Sequence, residues 1–341
     1  MRPAAHPFWY SLLLLVCALL LSVAVGSVFI PPAAFSRLIA IHLLGQPPDP
    51  GLKPIATILF DLRLPRTLLV ALAGAALAGS GGAYQGVFRN PLADPYLIGV
   101  ASGAGLGAVL AMSVHWPYTF FGLLAVPLSA FAAALLTVWI VYQLAHVNKA
   151  IPTTNLILAG VAVSAFASAI TSFWVINATG EIRRALVWLL GGSTLSGWQP
   201  VLALLPYILF GLGVLVTLGH ALNVLQFGDE QAQQLGLPAE QVRRLVIAAA
   251  SLTTAAAISF TGIIGFVGLI VPHIVRLVWG GDYRRLLPLA IINGATLLLV
   301  ADVLARTLLP PQELPVGIIT SLAGAPFFLW VLRRSKNQFF W

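Results

Sequence analysis

Charge is the scarcest property of this sequence. Only 8% of its 341 residues are Asp, Glu, Lys or Arg, whereas 59% are hydrophobic. Ordinary globular domains contain about 25% charged residues. Ten acids and eighteen bases cannot cover the surface of a soluble domain of this length. The composition therefore excludes a water-soluble globular protein and indicates a chain that lies largely in lipid.

Residues that bind metals or nucleotides are also scarce. The single cysteine, Cys17, lies in an apolar run and excludes both an intrachain disulfide and a thiolate metal site. The six histidines show no paired ligand spacing, so we predict no metal centre. None of the three lysines follows a glycine, which excludes a Gly-Lys-Ser/Thr phosphate loop. We expect no cofactor in this chain.

Acids are nearly absent from the apolar runs. Asp302 is the one acid well inside a run, and it lies four residues before Arg306 on the same helical face, which predicts a local ion pair. Ion-coupled carriers usually place acids within their membrane spans. An ion-coupled carrier is therefore a remote alternative, and the energy for any transport must come from a partner. The net charge of +8 is scattered between the runs, so we predict no nucleic-acid partner.

Uncharged runs of about twenty residues recur along the chain, and each is long enough to cross a bilayer. The runs are solidly apolar rather than alternating, which predicts helices and not barrel strands. A cleaved signal peptide is the alternative for the first run, but that run exceeds the usual signal core of about 7–15 residues. The predicted spans are 8–30, 67–88, 96–114, 119–144, 155–176, 201–222, two within 245–275, 286–308 and 316–332.

The uncharged segment 245–275 is too long for one span and short for two. Gly262, Gly265 and Gly268 could supply a reversal in its middle. With that reversal, eleven Lys/Arg lie inside and seven outside; without it, five lie inside and thirteen outside. The second arrangement violates the positive-inside rule. We therefore predict an all-α polytopic membrane protein with about ten spans and both termini cytoplasmic.

Three connections between the spans have predicted structure. Residues 35–44 are semi-apolar and are expected to lie along the membrane surface. Residues 187–198 are too short to span and predict a short helix at the interface. Residues 226–244 form the longest polar stretch, in which Gly236 and Pro238 predict a turn between two short helices outside the membrane. Long structured loops tend to be functional, although an inert connection is the alternative.

Bases on the predicted outer side are more numerous than the positive-inside rule leads us to expect. Five of the seven are arginines at or near the ends of spans, where snorkelling to lipid headgroups explains them. Docking charges for an acidic partner explain them equally, because arginine binds carboxylates as a rigid two-pronged donor. Composition leaves both explanations open. The seven bases are Arg37, Lys53, Arg63, Arg66, Arg183, Arg184 and Arg306.

Six ordered motifs resemble the FecCD family, the membrane permeases of binding-protein-dependent ABC importers for iron–siderophore, haem and vitamin B12. The resemblance runs from about residue 60 to the C-terminus. The motifs are R-L-P-R (63–66), Q-x-x-x-R-N-P-L-A-D-P (85–95), L-I-L-A-G-V-A (156–162), L-G-L (235–237), G-F-V-G-L-I-V-P-H-I-V-R (265–276) and E-L-P-V-G-I-I-T-S-L-x-G-A-P-F-F (313–328).

The resemblance implies roles for both ends of the predicted bundle. Outside, three arginines are expected to receive acidic residues of a periplasmic binding protein. Inside, the polar hinge after the second span is expected to form one cytoplasmic gate, and the start of the fifth span a second. The docking residues are Arg63, Arg66 and Arg306; the gate residues are Asn90 and Leu92, with Thr153 and Thr154.

The resemblance also implies coupling and pore residues within a single permease domain, 1–341. Its two halves, 61–178 and 244–332, are expected to be inverted repeats, and 226–244 is expected to be the cytoplasmic coupling loop. Close helix packing is the alternative role for the small pore residues. The coupling residues are Glu230, Ala232, Leu235, Gly236 and Leu237; the pore residues are Ala159, Gly160, Val163 and Ala167.

The function implied by the resemblance is transport without covalent chemistry in this chain. The expected partners are a second copy of the permease, two ATP-binding cassette subunits that use ATP and Mg²⁺, a periplasmic binding protein and membrane lipid. The expected substrate is an iron chelate, either haem or a siderophore, and vitamin B12 is the alternative. The expected location is the bacterial inner membrane.

Overall fold

Helices form most of the chain in the computed structural model, which describes residues 6–335 except 27, 29, 45–49, 115, 117–119, 147–151, 178–181, 193–196 and 311. No β-strand occurs within these described residues. A π-helix, Thr57–Arg63, joins α3 to α4. The α-helices are α1 (Pro7–Ala24), α2 (Pro32–Leu43), α3 (Lys53–Ala56), α4 (Leu64–Val87), α5 (Val100–Met112), α6 (Phe120–Ala145), α7 (Thr153–Asn177), α8 (Ile182–Leu189), α9 (Trp198–Thr217), α10 (Gly219–Leu225), α11 (Asp229–Gln234), α12 (Ala239–Thr261), α13 (Val267–Trp279), α14 (Tyr283–Thr307) and α15 (Val316–Ser335).

Six helices are long and apolar enough to cross a membrane: α1, α7, α9, α12, α14 and the Leu124–Ala145 part of α6. Three shorter apolar helices are α5, α13 and the Val316–Val331 part of α15. These lengths and compositions confirm the predicted all-α polytopic membrane fold. The predicted surface piece at 35–44 is also helical, as α2. The termini, 1–5 and 336–341, lie outside the described residues.

Helix α4 lies at the centre of the bundle, where it packs against α9, α12, α13 and α14. Nineteen of its 24 residues are buried, so α4 touches protein rather than lipid on nearly all sides. Small residues permit these close crossings. A Cβ added at Gly74 would overlap the Gly294 carbonyl of α14, and one at Gly81 would overlap the Gly268 carbonyl of α13. Backbone approach at glycine is typical of helix packing in membranes.

The predicted division of 245–275 is confirmed, since α12 and α13 are separate helices joined by residues 262–266, and the reversal between them stays a prediction. Gly262 ends α12 with φ of +75°, a conformation that side chains with a Cβ rarely adopt. Phe266 also has positive φ, +70°, immediately before α13. The second helix has only 13 residues, which agrees with the short second span that charge counting predicts.

A proline inside α13 explains why Gln85 is buried in α4. Pro272 has no N–H, so it cannot donate to the Gly268 carbonyl one turn earlier. Gln85 donates its Nε2 hydrogens to the carbonyls of Gly268 and Leu269, at 3.5 and 3.2 Å. Gln85, in the second motif of the sequence, therefore joins the central helix α4 to the first turn of α13, where the proline removes an intrahelical hydrogen bond.

The third span begins four residues later than predicted. Residues Pro95–Ile98 form a 3-10 turn, and α5 starts at Val100 rather than at residue 96. The side chain of Asp94 caps this turn by accepting a hydrogen bond from the Tyr96 N–H at 2.8 Å. The polar hinge is therefore longer than predicted, and α5 is shorter.

The predicted sixth span and the loop after it are divided differently from the prediction. Helix α9 ends at Thr217, and α10 continues to Leu225 after a one-residue break. The first predicted short helix of the polar stretch is α11, but the second is not separate, because residues from Ala239 onward form the start of the long helix α12. We therefore call residues 226–238 the coupling segment.

The short interfacial helix lies earlier than predicted. Helix α8 begins at Ile182, so Arg183 and Arg184 belong to its first turn and not to a polar break. Ala185 and Trp188 are buried, whereas Arg183 and Arg184 are exposed. Residues 193–196 of the predicted helix lie outside the described residues.

The order of helix lengths repeats along the chain. Helices α4 to α7 have 24, 13, 26 and 25 residues. Helices α12 to α15 have 23, 13, 25 and 20 residues. In each half a long helix is followed by a short one and then by two long ones. The inverted repeat remains a prediction, and this order of lengths agrees with it.

Candidate docking, gating and coupling sites

We call the end of the bundle that carries Arg66 the outer end, following the predicted topology, and the end that carries residues 89–95 the inner end. The outer end contains a cavity of 420 Å³. Its wall includes all three arginines predicted to dock a binding protein, together with two acids. The charged lining residues are Arg63, Arg66, Asp302, Arg306 and Glu313.

Arg63 and Arg306 point inward and bind the end of α1. Arg63, from the π-helix, donates to the carbonyls of Val23 and Ala24 at 3.1 and 3.0 Å and also to the carbonyl of Val28. It is 6% exposed. The last carbonyls of a helix lack intrahelical partners and carry partial negative charge, so a cation there is stabilising.

Arg306, from α14, completes this cap from the opposite side. It donates to the carbonyls of Ser22 and Val25, at 3.2 and 3.1 Å, and is 4% exposed. Its Nε lies 2.9 Å from Asp302 Oδ2, which confirms the predicted local pair. The two arginines thus hold the first helix against the core, and docking by either remains a prediction that this arrangement does not favour.

Arg66 is the most exposed of the three predicted docking residues. Its side chain is 37% exposed and lies between two carboxylates. Asp302, which is buried, is 3.0 Å from Arg66 Nη2, and Glu313, which is 38% exposed, is 2.6 Å from Arg66 Nη1. Of the three predicted docking residues, Arg66 is therefore the one at the surface, and its charge is already shared with acids of the same chain.

The first predicted gate lies in a rigid hinge at the inner end. Asn90 accepts a hydrogen bond from the Leu92 N–H at 2.9 Å, which closes a local turn. Arg89 has φ of +50°, unusual for a residue with a side chain. The hydroxyl of Tyr96 donates to the Ile264 carbonyl at 2.8 Å and so ties the end of the hinge to the α12–α13 connection.

The second predicted gate, Thr153 and Thr154, forms the first turn of α7. Thr154 is exposed and Thr153 is half-buried. The hinge meets α7 farther along this helix. A Cβ added at Gly160 would overlap the Leu97 carbonyl of the 3-10 turn. The structure therefore brings the first gate's hinge and the second gate's helix into contact, through Gly160.

The predicted pore residues share one face of α7, and that face packs on the same chain. Gly160 and Ala167 are buried against neighbouring parts of the same chain. Ala159 and Val163 are half-buried and pack on the core. For Gly160 and Ala167 the geometry favours close packing, the alternative that the sequence left open, over pore lining. The exposed face of α7 carries Leu158, Val161, Phe166 and Phe173.

The coupling segment combines polar composition with exposed apolar side chains. Leu235 is 68% exposed and Phe227 is 69% exposed. Gly236 has φ of +80° and open space around it. Ala232, by contrast, is fully buried, and Leu237 is partly buried on the core. Exposed apolar side chains in a polar loop indicate a surface for another protein.

Two further residues of this loop are Glu230, which was predicted, and Phe227, which was not. Glu230 lies in the first turn of α11, where an acid is stabilised by the helix dipole. Sequence reasoning missed Phe227. A lone aromatic residue in a polar stretch was the signal that could have indicated it.

Asn223, in α10 just before the coupling segment, binds the turn between α13 and α14. Its Nδ2 donates to Asp282 Oδ1 at 2.6 Å, and its Oδ1 accepts from the Tyr283 N–H at 2.8 Å. Hydrogen bonds from the Arg284 side chain, with smaller contributions from Asn223 and the Arg284 backbone, lower the pKa of Asp282 despite partial desolvation. Sequence reasoning missed Asn223 because it lies at the end of an apolar run.

Among the described residues, no group of three or more His, Cys, Asp or Glu side chains could hold a metal ion. The functional features are instead a charged outer cavity, a stiff inner hinge and an exposed coupling segment on a bundle of membrane helices. Together they define a membrane transport permease.

The chain belongs to the FecCD transport family, which it matches over residues 13–334. It is 49% identical over 272 residues to the Cobalamin import system permease protein BtuC of Halobacterium salinarum, covering 80% of this chain and 72% of that protein. It is 40% identical over 288 residues to the Hemin transport system permease protein HmuU of Yersinia pestis, covering 82% of this chain and 84% of that protein.

A solved inward-facing structure of an ABC transporter described as of metal-chelate type has the same fold. The TM-score is 0.80 at 30% identity, over 96% of this chain and 98% of that chain. The protein is thus an ABC importer permease and a multi-pass protein of the inner membrane. Its relatives are transport components and not enzymes.

Proposed function

We propose that this chain is the homodimeric permease of an importer for a metal chelate, powered by two ATPase subunits that bind ATP and Mg²⁺. The observation that carries the proposal is the FecCD match over residues 13–334, supported by a TM-score of 0.80 to a metal-chelate type transporter. In the proposed topology ten helices span the membrane, with both termini cytoplasmic. The ten are α1, α4, α5, α6, α7, α9, α12, α13, α14 and α15.

A loaded periplasmic binding protein docks at the outer end in this proposal. Arg66 is the main contact, since its guanidinium is partly exposed whereas Arg63 and Arg306 cap α1. Helix α4 then joins the docking site to the first gate. Its 24 residues span about 36 Å at 1.5 Å per residue. Because α4 is continuous and enclosed by protein, movement at one end is carried to the other.

ATP-driven closure of the ATPases moves the coupling segment at the inner end. Leu235 and Phe227 supply the apolar contact, and Glu230, Gly236 and Leu237 shape the segment around it. The helices then rock so that the outer entrance and the inner gates open in turn. This chain makes and breaks no covalent bond in the cycle.

An iron chelate, haem or a siderophore, is the substrate class that the motifs imply. Cobalamin is the second candidate, and the 49% identity to a permease named for cobalamin import favours it. Both are bulky metal chelates. The relatives' names therefore support the class more strongly than either member of it.

The proposal is tested with the permease, its ATPases and its binding protein reconstituted together in lipid nanodiscs. ATP hydrolysis is measured with the binding protein loaded with haem, a ferric siderophore or cobalamin. We expect one of these three ligands to raise hydrolysis well above the rate with unloaded binding protein. Equal hydrolysis with all three loaded forms and the unloaded form would overturn the metal-chelate assignment.

A further inference from the structure

The coupling segment is joined directly to the inner end of the central helix. Gln226, the first residue of the segment, donates its Nε2 hydrogen to the Gly86 carbonyl at 2.9 Å. Gly86 lies in the last turn of α4, four residues before the gate residue Asn90. The approach is close: a Cβ at Gly86 would lie 2.9 Å from Leu222 Cδ2 of α10.

A second contact reaches the hinge just beyond α4. Asp229, the first residue of α11, has its Oδ1 4.0 Å from Nη2 of Arg89. Its Oδ2 accepts a hydrogen bond from Nη2 of Arg243 at 2.7 Å. Arg243 is a buried residue of α12. Asp229 therefore lies between two cations, the buried Arg243 of α12 and Arg89 of the gate hinge.

The two contacts have matching spacing on the two segments. Gln226 and Asp229 are three residues apart, and so are their partners Gly86 and Arg89. The backbone of Arg89 has φ of +50°, a sparsely populated conformation that persists only where the surroundings hold it. A shift of the coupling segment by one or two ångströms must either carry the end of α4 with it or break both contacts.

We propose that Gln226 and Asp229 are positioning residues that transmit movement of the coupling segment to the Asn90–Leu92 gate through Gly86 and Arg89. This inference rests on the proposed function, since it takes the coupling segment as the ATPase contact. It adds a physical link between that contact and the gate. The hydrogen bond from Gln226 sets the position of the last turn of α4, and the charge of Asp229 draws the Arg89 side chain toward α11.

Glu240 provides a matched control for Asp229. Its carboxylate also pairs with Arg243, at 2.8 Å, so both acids share one cation on the inner surface. Glu240 belongs to α12 and lies outside the coupling segment. Within the described part of the chain, Glu240 pairs with Arg243, three residues farther along its own helix. A loss of surface charge alone would therefore affect both acids equally.

The test uses the complete transporter in proteoliposomes and measures substrate uptake and ATP hydrolysis in the same sample. The variants are Gln226→Met, Asp229→Asn and Arg89→Gln, with Glu240→Gln as the control. We expect uptake per ATP to fall about two- to five-fold in Gln226→Met, Asp229→Asn and Arg89→Gln, which is the effect of losing a partly exposed polar pair. We expect it to stay unchanged in Glu240→Gln. The double variant of Arg89→Gln with Asp229→Asn should be no worse than either single variant, because both remove the same contact.

Unchanged uptake per ATP in Asp229→Asn and Gln226→Met overturns the inference, and so does an equal fall in Glu240→Gln. Arg89→Gln tests the ion pair from the other side if Asp229→Asn does not fold. A separate variant, Leu235→Asp, tests the proposed function on which the inference rests. If ATPase subunits still co-purify with that variant and transport is full, the coupling segment itself is wrongly assigned, whatever the other variants show.

Discussion

The two acids that pair with Arg66 should differ greatly in their contribution to stability. Asp302 is 1% exposed and also pairs with the buried Arg306, whereas Glu313 is 38% exposed. Removing one member of a buried ion pair costs about 3–5 kcal/mol, because the remaining charge loses its partner in a low dielectric. Removing an exposed pair costs about 0.2–1 kcal/mol. Asp302→Asn should therefore destabilise the permease by several times as much as Glu313→Gln.

The measurement is the thermal unfolding midpoint of each purified variant in the same detergent and salt. Both changes convert an acid to its amide with little change in volume, so they form a matched pair. We expect a large fall in the midpoint for Asp302→Asn and a small one for Glu313→Gln. High salt should weaken the effect at Glu313 further, since exposed pairs are screened. Equal shifts for the two variants would refute the claim that the buried Asp302 contributes more to stability than the exposed Glu313.

Three other predictions address packing, pH and docking. Gly81→Ala should destabilise the permease by about 1–3 kcal/mol, because the added methyl group overpacks against α13. Gly213→Ala in α9 meets open space and should stabilise the permease by about 0.5–1 kcal/mol. Thermal unfolding midpoints of the two variants measure the difference. Because Arg284 lowers the pKa of Asp282, the stability that this pair supplies is complete above the ordinary value of 3.8 and is lost as the pH falls below it. Unfolding midpoints should therefore fall more steeply below about pH 4 in the native chain than in Asp282→Asn. Arg66→Gln should raise the binding-protein concentration that half-stimulates ATP hydrolysis by about two- to five-fold, and an unchanged value contradicts docking at this residue.

The fold was largely predictable because it depends on local sequence features and on the number of charges in each connection. Apolar run lengths indicate helices, and the balance of Lys and Arg indicates that 245–275 must reverse. Gly262, which ends α12, lies where that count requires a turn. The start of α5 was misplaced because Asp94 and Pro95 favour a capped 3-10 turn, which apolar content alone does not reveal.

The outer site was less predictable because its contacts join distant parts of the chain. Arg63 binds carbonyls 35 to 40 residues away, and Arg306 binds carbonyls more than 280 residues away. An arginine at the end of a span has the same local sequence whether it snorkels, docks a partner or caps another helix. Its role depends on where the end of α1 lies, and no local pattern specifies that.

The small residues of α7 illustrate the same limit. A glycine that lines a pathway and a glycine that admits a neighbouring carbonyl look identical in sequence. Gly160 is of the second kind, because the Leu97 carbonyl occupies the space where its side chain would be. Gly160→Ala should therefore act on packing between α7 and the hinge before it acts on any substrate.

The central claim is that this permease depends on partner ATPases and has no energy source of its own. The most direct test is uptake of a radiolabelled chelate, of the class that stimulates ATP hydrolysis, into proteoliposomes. The vesicles contain either the permease alone or the permease with its ATPases and binding protein. The account predicts concentrative uptake only in the complete system with ATP and Mg²⁺ present. Concentrative uptake by the permease alone, driven by a proton or sodium gradient, would contradict it.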